Sequence, residues 1–356
     1  MRFLLGFLFI SILTTTATLA QTTAPKYSNE FLQIGVGARA LGLSNAVTST
    51  TDDVTSGYWN PAGLINISSR YQIGLMHSEY FAGIAKYDYG SVVNKIDSTS
   101  AIGISIIRFG IDDIPDTRFL YDANGTINYD NIRYFSASDY AFILSYARTL
   151  GKVPGLNIGA NFKVVHRIVG DFATAWGFGL DAGTQYTRKS WRFGVMARDV
   201  TSTFNAWSHN TDMVRDIYIQ TGNDIPQNSI EITLPRLILG VSKSILKEEK
   251  RIGVLAMVDL ITTFDGKRNT LIKSNFASIE PAAGIEVDYK KIVYLRGGVG
   301  NFQKITSFSG SNLSVQPNFG IGVKIYRFSI DYALTNLGNT SETLYSNVFS
   351  LTVNLN

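Results

Sequence analysis

Through most of its length the chain alternates apolar and polar residues with a period of two. In Leu156-Asn157-Ile158-Gly159-Ala160-Asn161-Phe162-Lys163-Val164, for example, Leu, Ile, Ala, Phe and Val share one face and Asn, Gly, Asn and Lys the other. A strand points successive side chains to opposite faces, so this pattern predicts strands with one apolar and one polar side. Segments of this kind, broken by Gly, Asn, Asp and Lys, number about fourteen. They lie near 71–78, 82–93, 99–109, 138–149, 154–168, 173–187, 190–199, 233–243, 250–261, 278–289, 292–300, 316–326, 327–334 and 344–355. Most reach the roughly 9 to 11 residues with which a tilted strand crosses a bilayer. Trp176, Phe178, Leu180 and Tyr186 oppose Gly177, Gly179, Asp181, Gly183 and Gln185, and Trp191, Phe193 and Val195 oppose Arg192, Gly194 and Arg198. The expected fold class is all-β: a transmembrane antiparallel barrel of about fourteen strands, apolar outside and polar inside.

Connections sharpen the expectation. They are tight at Arg188-Lys189, Lys290-Lys291 and Tyr326-Arg327, and long and polar after the third, seventh, ninth and eleventh segments. Short turns at one end and long loops at the other are the outer-membrane arrangement, with both termini periplasmic. At the N-terminus Arg2, the apolar run Phe3 to Leu13 and the small-residue site Thr18-Leu19-Ala20 read as a signal peptide cleaved near Ala20. The expected organisation is therefore a signal peptide over 1–20, a hatch segment over 21–70 and a barrel over 71–356.

Composition fits this reading. Charged residues are 17% of the chain, below the roughly 25% usual for soluble domains. Cysteine is absent, which excludes lipidation at cysteine and disulfide stapling. The formal charge of +4 is too small and dispersed to argue for nucleic acid. The inward set carries both signs, with Lys163, Arg167, Arg192, Arg198, Arg236, Arg251 and Lys324 beside Asp181, Asp259, Glu286, Asp288 and Asp331. Mixed charge favours a cross-linked, plugged interior over a wide selective pore.

Ahead of the strands lies a segment rich in glycine and small residues, Asn29 to Leu64. Gly35, Gly37 and Gly42 permit close backbone approach, Asn60-Pro61 favours an extended turn, and Gly63 keeps it slim. Arg39 among small residues needs carboxylate or carbonyl partners if buried, and the inward set offers it Asp181, Asp259, Glu286, Asp288 and Asp331; otherwise Arg39, Asp52 and Asp53 only pin the segment in place. These residues form a hatch motif with a structural or gating role.

Gly35-Val36-Gly37-Ala38-Arg39-Ala40-Leu41-Gly42, then Asp52-Asp53, then Tyr58-Trp59-Asn60-Pro61-Ala62-Gly63-Leu64, resembles the N-terminal signature of the PorV/PorQ family of Bacteroidetes outer-membrane proteins, relatives of the FadL fatty-acid transporters. Phe328-Ser329-Ile330-Asp331-Tyr332-Ala333-Leu334 with Leu337-Gly338-Asn339-Thr340 resembles the penultimate hairpin of that family. The resemblance implies a FadL-like barrel with its hatch in the lumen and a place in the type IX secretion system, with a translocon, a sortase-like protease and exported cargo as partners. It also leaves open a FadL-like importer that passes a hydrophobic ligand from an outer pocket past the hatch and out through the wall. Tyr134 and Phe135, in one long loop, and Trp207 and Tyr218, in another spanning Phe204 to Ile232, are the candidate partner-docking residues.

No enzyme, cofactor or metal is expected. His77, His166 and His209 show no metal-ligand spacing or GxSxG context, and adjacent Ser and His on a strand point to opposite faces. Asp122-Ala123-Asn124-Gly125 opens like a calcium loop but lacks the downstream Glu, and reads as a turn.

Overall fold

The computed structural model describes residues 28–122, 124–246, 251–307, 310–335 and 346–356. The expected signal peptide and its cleavage site, and the Leu337 to Thr340 motif, lie outside the described residues.

The strands run in chain order as β1 (Tyr71–Tyr80), β2 (Ala85–Lys95), β3 (Ser100–Asp116), β4 (Arg133–Thr149), β5 (Leu156–Val169), β6 (Ala173–Arg188), β7 (Trp191–Arg198), β8 (Thr203–His209), β9 (Ser229–Thr233), β10 (Arg236–Leu246), β11 (Ile252–Thr263), β12 (Ile272–Lys273), β13 (Ser278–Tyr289), β14 (Val293–Ser307), β15 (Gly310–Ile325), β16 (Phe328–Thr335) and β17 (Ser346–Leu355). Every neighbour pairs antiparallel, and β1 pairs with both β2 and β17, which closes the sheet on itself. β7 and β8 together make one wall strand, β9 and β10 another, and β12 is a two-residue addition in a loop, which leaves fourteen strands in the wall. Closure leaves no edge strand to present unpaired backbone groups to lipid.

The facing follows the sequence. Ile158, Phe162, Trp176, Phe178, Leu180, Trp191 and Phe193 are exposed outward, while Asn161, Lys163, Asp181 and Gln185 are buried inside. The lumen is less uniformly polar than its sequence suggested. On β1 to β5 the inward face carries Met76, Tyr80, Tyr87, Tyr89, Ile107, Ile143 and Val165, all buried, and forms an apolar core with residues from the segment before β1. Alternation hid this because the outward residues are apolar too.

Two loop expectations are corrected. Residues 301–315 are not a long loop, since β14 and β15 stay paired through Gln303↔Ser314 and on to Ser307↔Gly310. The ladder needs only backbone partners, so it continues beyond the point where apolar alternation stops. The long-loop end also holds the short connections 81–84 and 170–172. At the opposite end the turns are tight, with Lys189 and Tyr326 at φ 56° and 51°.

Residues 28–69 run inside the barrel as short helical turns, Glu30–Gln33, Ala38–Gly42, Ser56–Trp59 and Pro61–Asn66, joined by bends. Where this segment meets the wall, backbone lies on backbone. A Cβ on Gly298 would stand 2.4 Å from the Leu43 carbonyl carbon, and one on Gly194 would stand 2.4 Å from the Thr48 oxygen. Gly42 faces Gly320, where an added Cβ would come within 2.9 Å of Cα. Forcing side chains into such contacts costs about 1–3 kcal/mol each. Gly194→Val and Gly298→Val are therefore expected to lower the unfolding free energy by about that amount and, by displacing the segment, to raise ion conductance in planar bilayers above the wild-type level. Urea titration of the heat-modifiable gel band and single-channel recording check the two effects.

Candidate functional site

Arg39 sits on the turn Ala38–Gly42, largely buried, and lies toward the end of the barrel that carries the short turns. Its Nε donates to Glu286 of β13 at 3.0 Å and its Nη1 to Asp52 at 2.7 Å, with Asp53 at 3.9 Å. Glu286, one of the inward acids that the sequence offered Arg39, also accepts from Arg296 of β14 at 2.6 Å, and Arg296 donates to Asp331 of β16 at 2.6 Å. Asp52 faces Arg192 of β7 at 3.9 Å. Burial alone would lower the pKa of Arg39, but Glu286 and Asp52 more than offset it and hold the guanidinium protonated. The result is a chain of alternating charge that ties the inner segment to β7, β13, β14 and β16.

The other motif residues act through the backbone. Gly35 and Gly37 adopt φ of 100° and 86°, conformations open to glycine, and Trp59 fills the space against Gly35. The Trp59 indole donates to Val36 O at 2.8 Å and the Tyr58 hydroxyl to Leu32 O at 2.6 Å. Asn60 is fully buried, and its amide donates to Thr48 O at 3.0 Å and to Thr184 O of β6 at 2.9 Å, while its oxygen accepts from Ala62 N. Pro61 starts the next turn, the position where its missing N–H is harmless. A Cβ on Gly63 would stand 2.4 Å from Thr51 O. Asp53 accepts from Thr55 N at 2.8 Å and so closes its own turn as well as facing Arg39.

A second charged cluster gathers Lys163, Asp181, Arg198 and Arg236 of the inward set around Asp199, which the sequence did not single out because it falls where alternation stops. The Lys163 ammonium meets Asp181 at 3.0 Å and Asp199 at 2.6 Å, and Arg236 reaches Asp199 at 3.7 Å. Beside it Arg198 covers the Tyr58 ring at 4.3 Å and donates to Tyr58 O at 2.9 Å. The cluster lies where the wall ladder is interrupted. β6 pairs with β7 up to Ala182↔Ala197 and with β8 from Phe178↔Phe204, and residues 199–202 bulge between. On the other side Leu234 and Pro235 interrupt β9 and β10. The side chain of Asp181 substitutes for a ladder partner by accepting from Asp199 N at 2.9 Å.

Two cavities flank the inner segment. At the short-turn end one of about 1240 Å³ is lined by Arg39, Asp52, Asp288, Lys324 and Asn354 among others. At the long-loop end one of about 170 Å³ lies between Gln33, Leu41 and Asn45 on the segment and Ile261, Glu280 and Gln316 on the wall. The two are separated by the segment itself.

The four docking candidates do not form one surface. Tyr134 is exposed on β4, but Phe135 packs edge-on against Phe172 at 5.0 Å. Trp207 is not a loop residue. It lies on β8, shares the inward parity of Thr203 and Asn205, and stacks with Arg167 at 5.0 Å. The strands Thr203–His209 and Ser229–Thr233 pair within the stretch read as one loop. Tyr218 is half-buried on the helix Thr211–Thr221. Gly125 closes the Asp122 turn by donating to Asp122 O at 2.8 Å. Among the described residues no group of His, Asp and Glu is placed to hold a metal ion.

No protein-family model matches the chain, and no curated protein matches it in sequence. Its fold is shared with solved outer-membrane barrels. The toluene transporter TbuX of Ralstonia pickettii is 14% identical, with a TM-score of 0.54 over 90% of this chain and 99% of that one. The toluene transporter TodX of Pseudomonas putida is 13% identical at 0.54, over 90% and 99%. A FadL homologue from Pseudomonas aeruginosa is 12% identical at 0.52, over 89% and 97%.

Removing one partner of a buried pair leaves an uncompensated charge, at a cost of about 3–5 kcal/mol. Arg39→Ala is expected to destabilise the protein toward the lower end of that range, because Asp52 is partly hydrated, and Arg39→Ala with Glu286→Gln by less than the sum of the single changes. Urea titration of the three variants in detergent measures the coupling.

Proposed function

We propose that the protein is an outer-membrane barrel that moves hydrophobic small molecules, with the solute leaving through the wall and not along the axis. The observation that carries this reading is the combination of a lumen filled by residues 28–69 with a wall whose ladder is broken beside them at residues 199–202. An axial path meets the core around Val36, Leu43, Tyr58 and Trp59, all buried. At the bulge the two neighbouring strands are joined by the Asp181 carboxylate, which accepts from Asp199 N, and by Val200 N donating to Leu180 O at 2.8 Å, and outside it Val200 and Phe204 are exposed to the apolar exterior. The barrels of like fold that are described as toluene transporters support the same reading.

A second reading, surface docking of exported proteins as in PorV-type secretion components, is favoured by one specific observation. The β3–β4 hairpin and its connection expose Tyr121, Tyr129 and Tyr134 at the long-loop end, and large aromatics are the residues on which protein interfaces concentrate their binding energy.

The chain has no cysteine, so a cysteine pair at Ala38 and Ser350, whose backbone and side chain touch at 2.8 Å, gives a clean lock between segment and wall. In proteoliposomes the reduced protein is expected to admit labelled toluene or oleate faster than empty vesicles, and the oxidised protein to lose that gain and recover it on reduction. No transport in either state, together with loss of surface-displayed proteins when the gene is deleted, would sink the transport reading and promote the second.

A further inference from the structure

The outward face of β1, β2 and β3 turns charged part of the way up the wall. On β1 the outward residues are Tyr71, Ile73 and Leu75, then His77 and Glu79. On β3 they are Ile102, Ile104 and Ile106, then Arg108 and Asp112. On β2 Val92 and Gly90 give way to Asp88 and Lys86. These residues are register neighbours, with His77 opposite Asp88 and Asp88 opposite Arg108. They pair with one another. His77 Nδ1 lies 2.7 Å from Asp88, Arg108 3.4 Å from the other Asp88 oxygen, and Lys86 3.0 Å from Asp112. The pairs are still substantially exposed, with 51% of the His77 side chain, 40% of Asp88 and 41% of Lys86 accessible. Hydrocarbon cannot solvate such groups.

Below the cluster the apolar height is small. From Tyr71 to His77 a strand tilted as in such barrels climbs roughly 15 Å. Two strands further along the wall, β5 stays free of formal charge outward from Leu156 to Ile168, with His166 stacked on Trp176, and climbs roughly 30 Å. The usual apolar band is about 25 Å tall. Tilting a rigid barrel raises or lowers the band on one side but does not thicken it there. The mismatch therefore falls on the lipid.

We infer that the wall formed by β1, β2 and β3 is a lipid-headgroup site, at which headgroups of the outer leaflet descend onto the His77, Asp88, Arg108, Lys86 and Asp112 cluster and the bilayer is locally thin. Because the cluster is already internally paired, it needs hydration and zwitterionic or phosphate headgroups more than a partner of opposite net charge. The inference rests on the transmembrane barrel alone and not on what the barrel carries.

Single-cysteine nitroxide labels test it in the otherwise cysteine-free chain, in phosphatidylcholine vesicles. A label at Ile106 is expected to collide with a water-soluble nickel complex far more often than one at Leu180, which should meet mainly dissolved oxygen. A second measurement varies chain length from fourteen to twenty carbons. Wild-type folding should be best in the shorter lipids, and the variant His77→Leu, Asp88→Leu, Arg108→Leu should shift the optimum longer by about four carbons. If the triple variant does not fold, the labels on the wild-type background decide. A label at Ile106 as deep as one at Leu180 would overturn the inference, as would a wild-type optimum in the longer lipids; either outcome would place the cluster against another membrane protein.

Discussion

The dominant constraint is that a fourteen-stranded barrel encloses more space than its own inward side chains fill, and that this chain fills it with backbone. Larger barrels are left with a channel or a plug. Residues 28–69 come close enough to the wall that Gly194 and Gly298 have no room for a side chain. Carbonyls that would be stranded in this contact are satisfied from the wall, as when Gln185 donates to Thr48 O and Thr51 O, Asn161 to Gly57 O, and Tyr89 to Val54 O. Inward glycines and inward amides are two halves of one solution, the first making room for a backbone and the second hydrogen-bonding it.

Charge and apolar surface are divided within the lumen accordingly. The segment packs its Phe31, Leu32, Val54 and Trp59 toward the inward aromatics of β1 to β4, where burial supplies the stabilisation. Toward β13 to β16 the backbone of Gly42 and Leu43 lies on Gly284, Gly298 and Gly320, and ion pairs through Arg39, Glu286, Arg296 and Asp331 run beside it, next to the cavity of about 1240 Å³. The segment is therefore held on both sides, by apolar burial toward β1 to β4 and by close backbone packing with buried ion pairs toward β13 to β16.

How far this was legible in the sequence depends on whether the information is local. Strand facing is a two-residue pattern, and it read correctly from Leu156 to Val164 and along Trp176 to Leu180. The fourteen wall strands followed from it. The role of glycine in the wall did not. Gly159 and Gly183 looked like polar spacers, whereas each faces the Asn60 to Ala62 turn, a relation of more than ninety residues that no window contains. Arg39 demanded a carboxylate, but only the fold selects Glu286 from five candidates. Trp207 was misplaced for a related reason. Loop assignment leaned on the loss of apolar alternation, and the β8 ladder persists beyond that loss, turning an apparent surface aromatic inward.

These long-range contacts also bear on assembly. Ala38 N donates to Ser350 Oγ and Ser69 Oγ to Asn354, so the inner segment touches the last strand both midway and just before β1, and that strand in turn pairs with β1 to close the wall. Bringing such distant segments together is entropically expensive until the contacts that reward it can form. The inner segment cannot complete its hydrogen bonds before β17 arrives, and β17 closes against a β1 whose orientation is set by Tyr80, Tyr87 and Met76 packing on that segment. Closure of the wall and docking of the segment are on this account one cooperative step, which joins the apolar side around Tyr58 and Trp59 to an Arg39 network drawing on four strands separated in sequence.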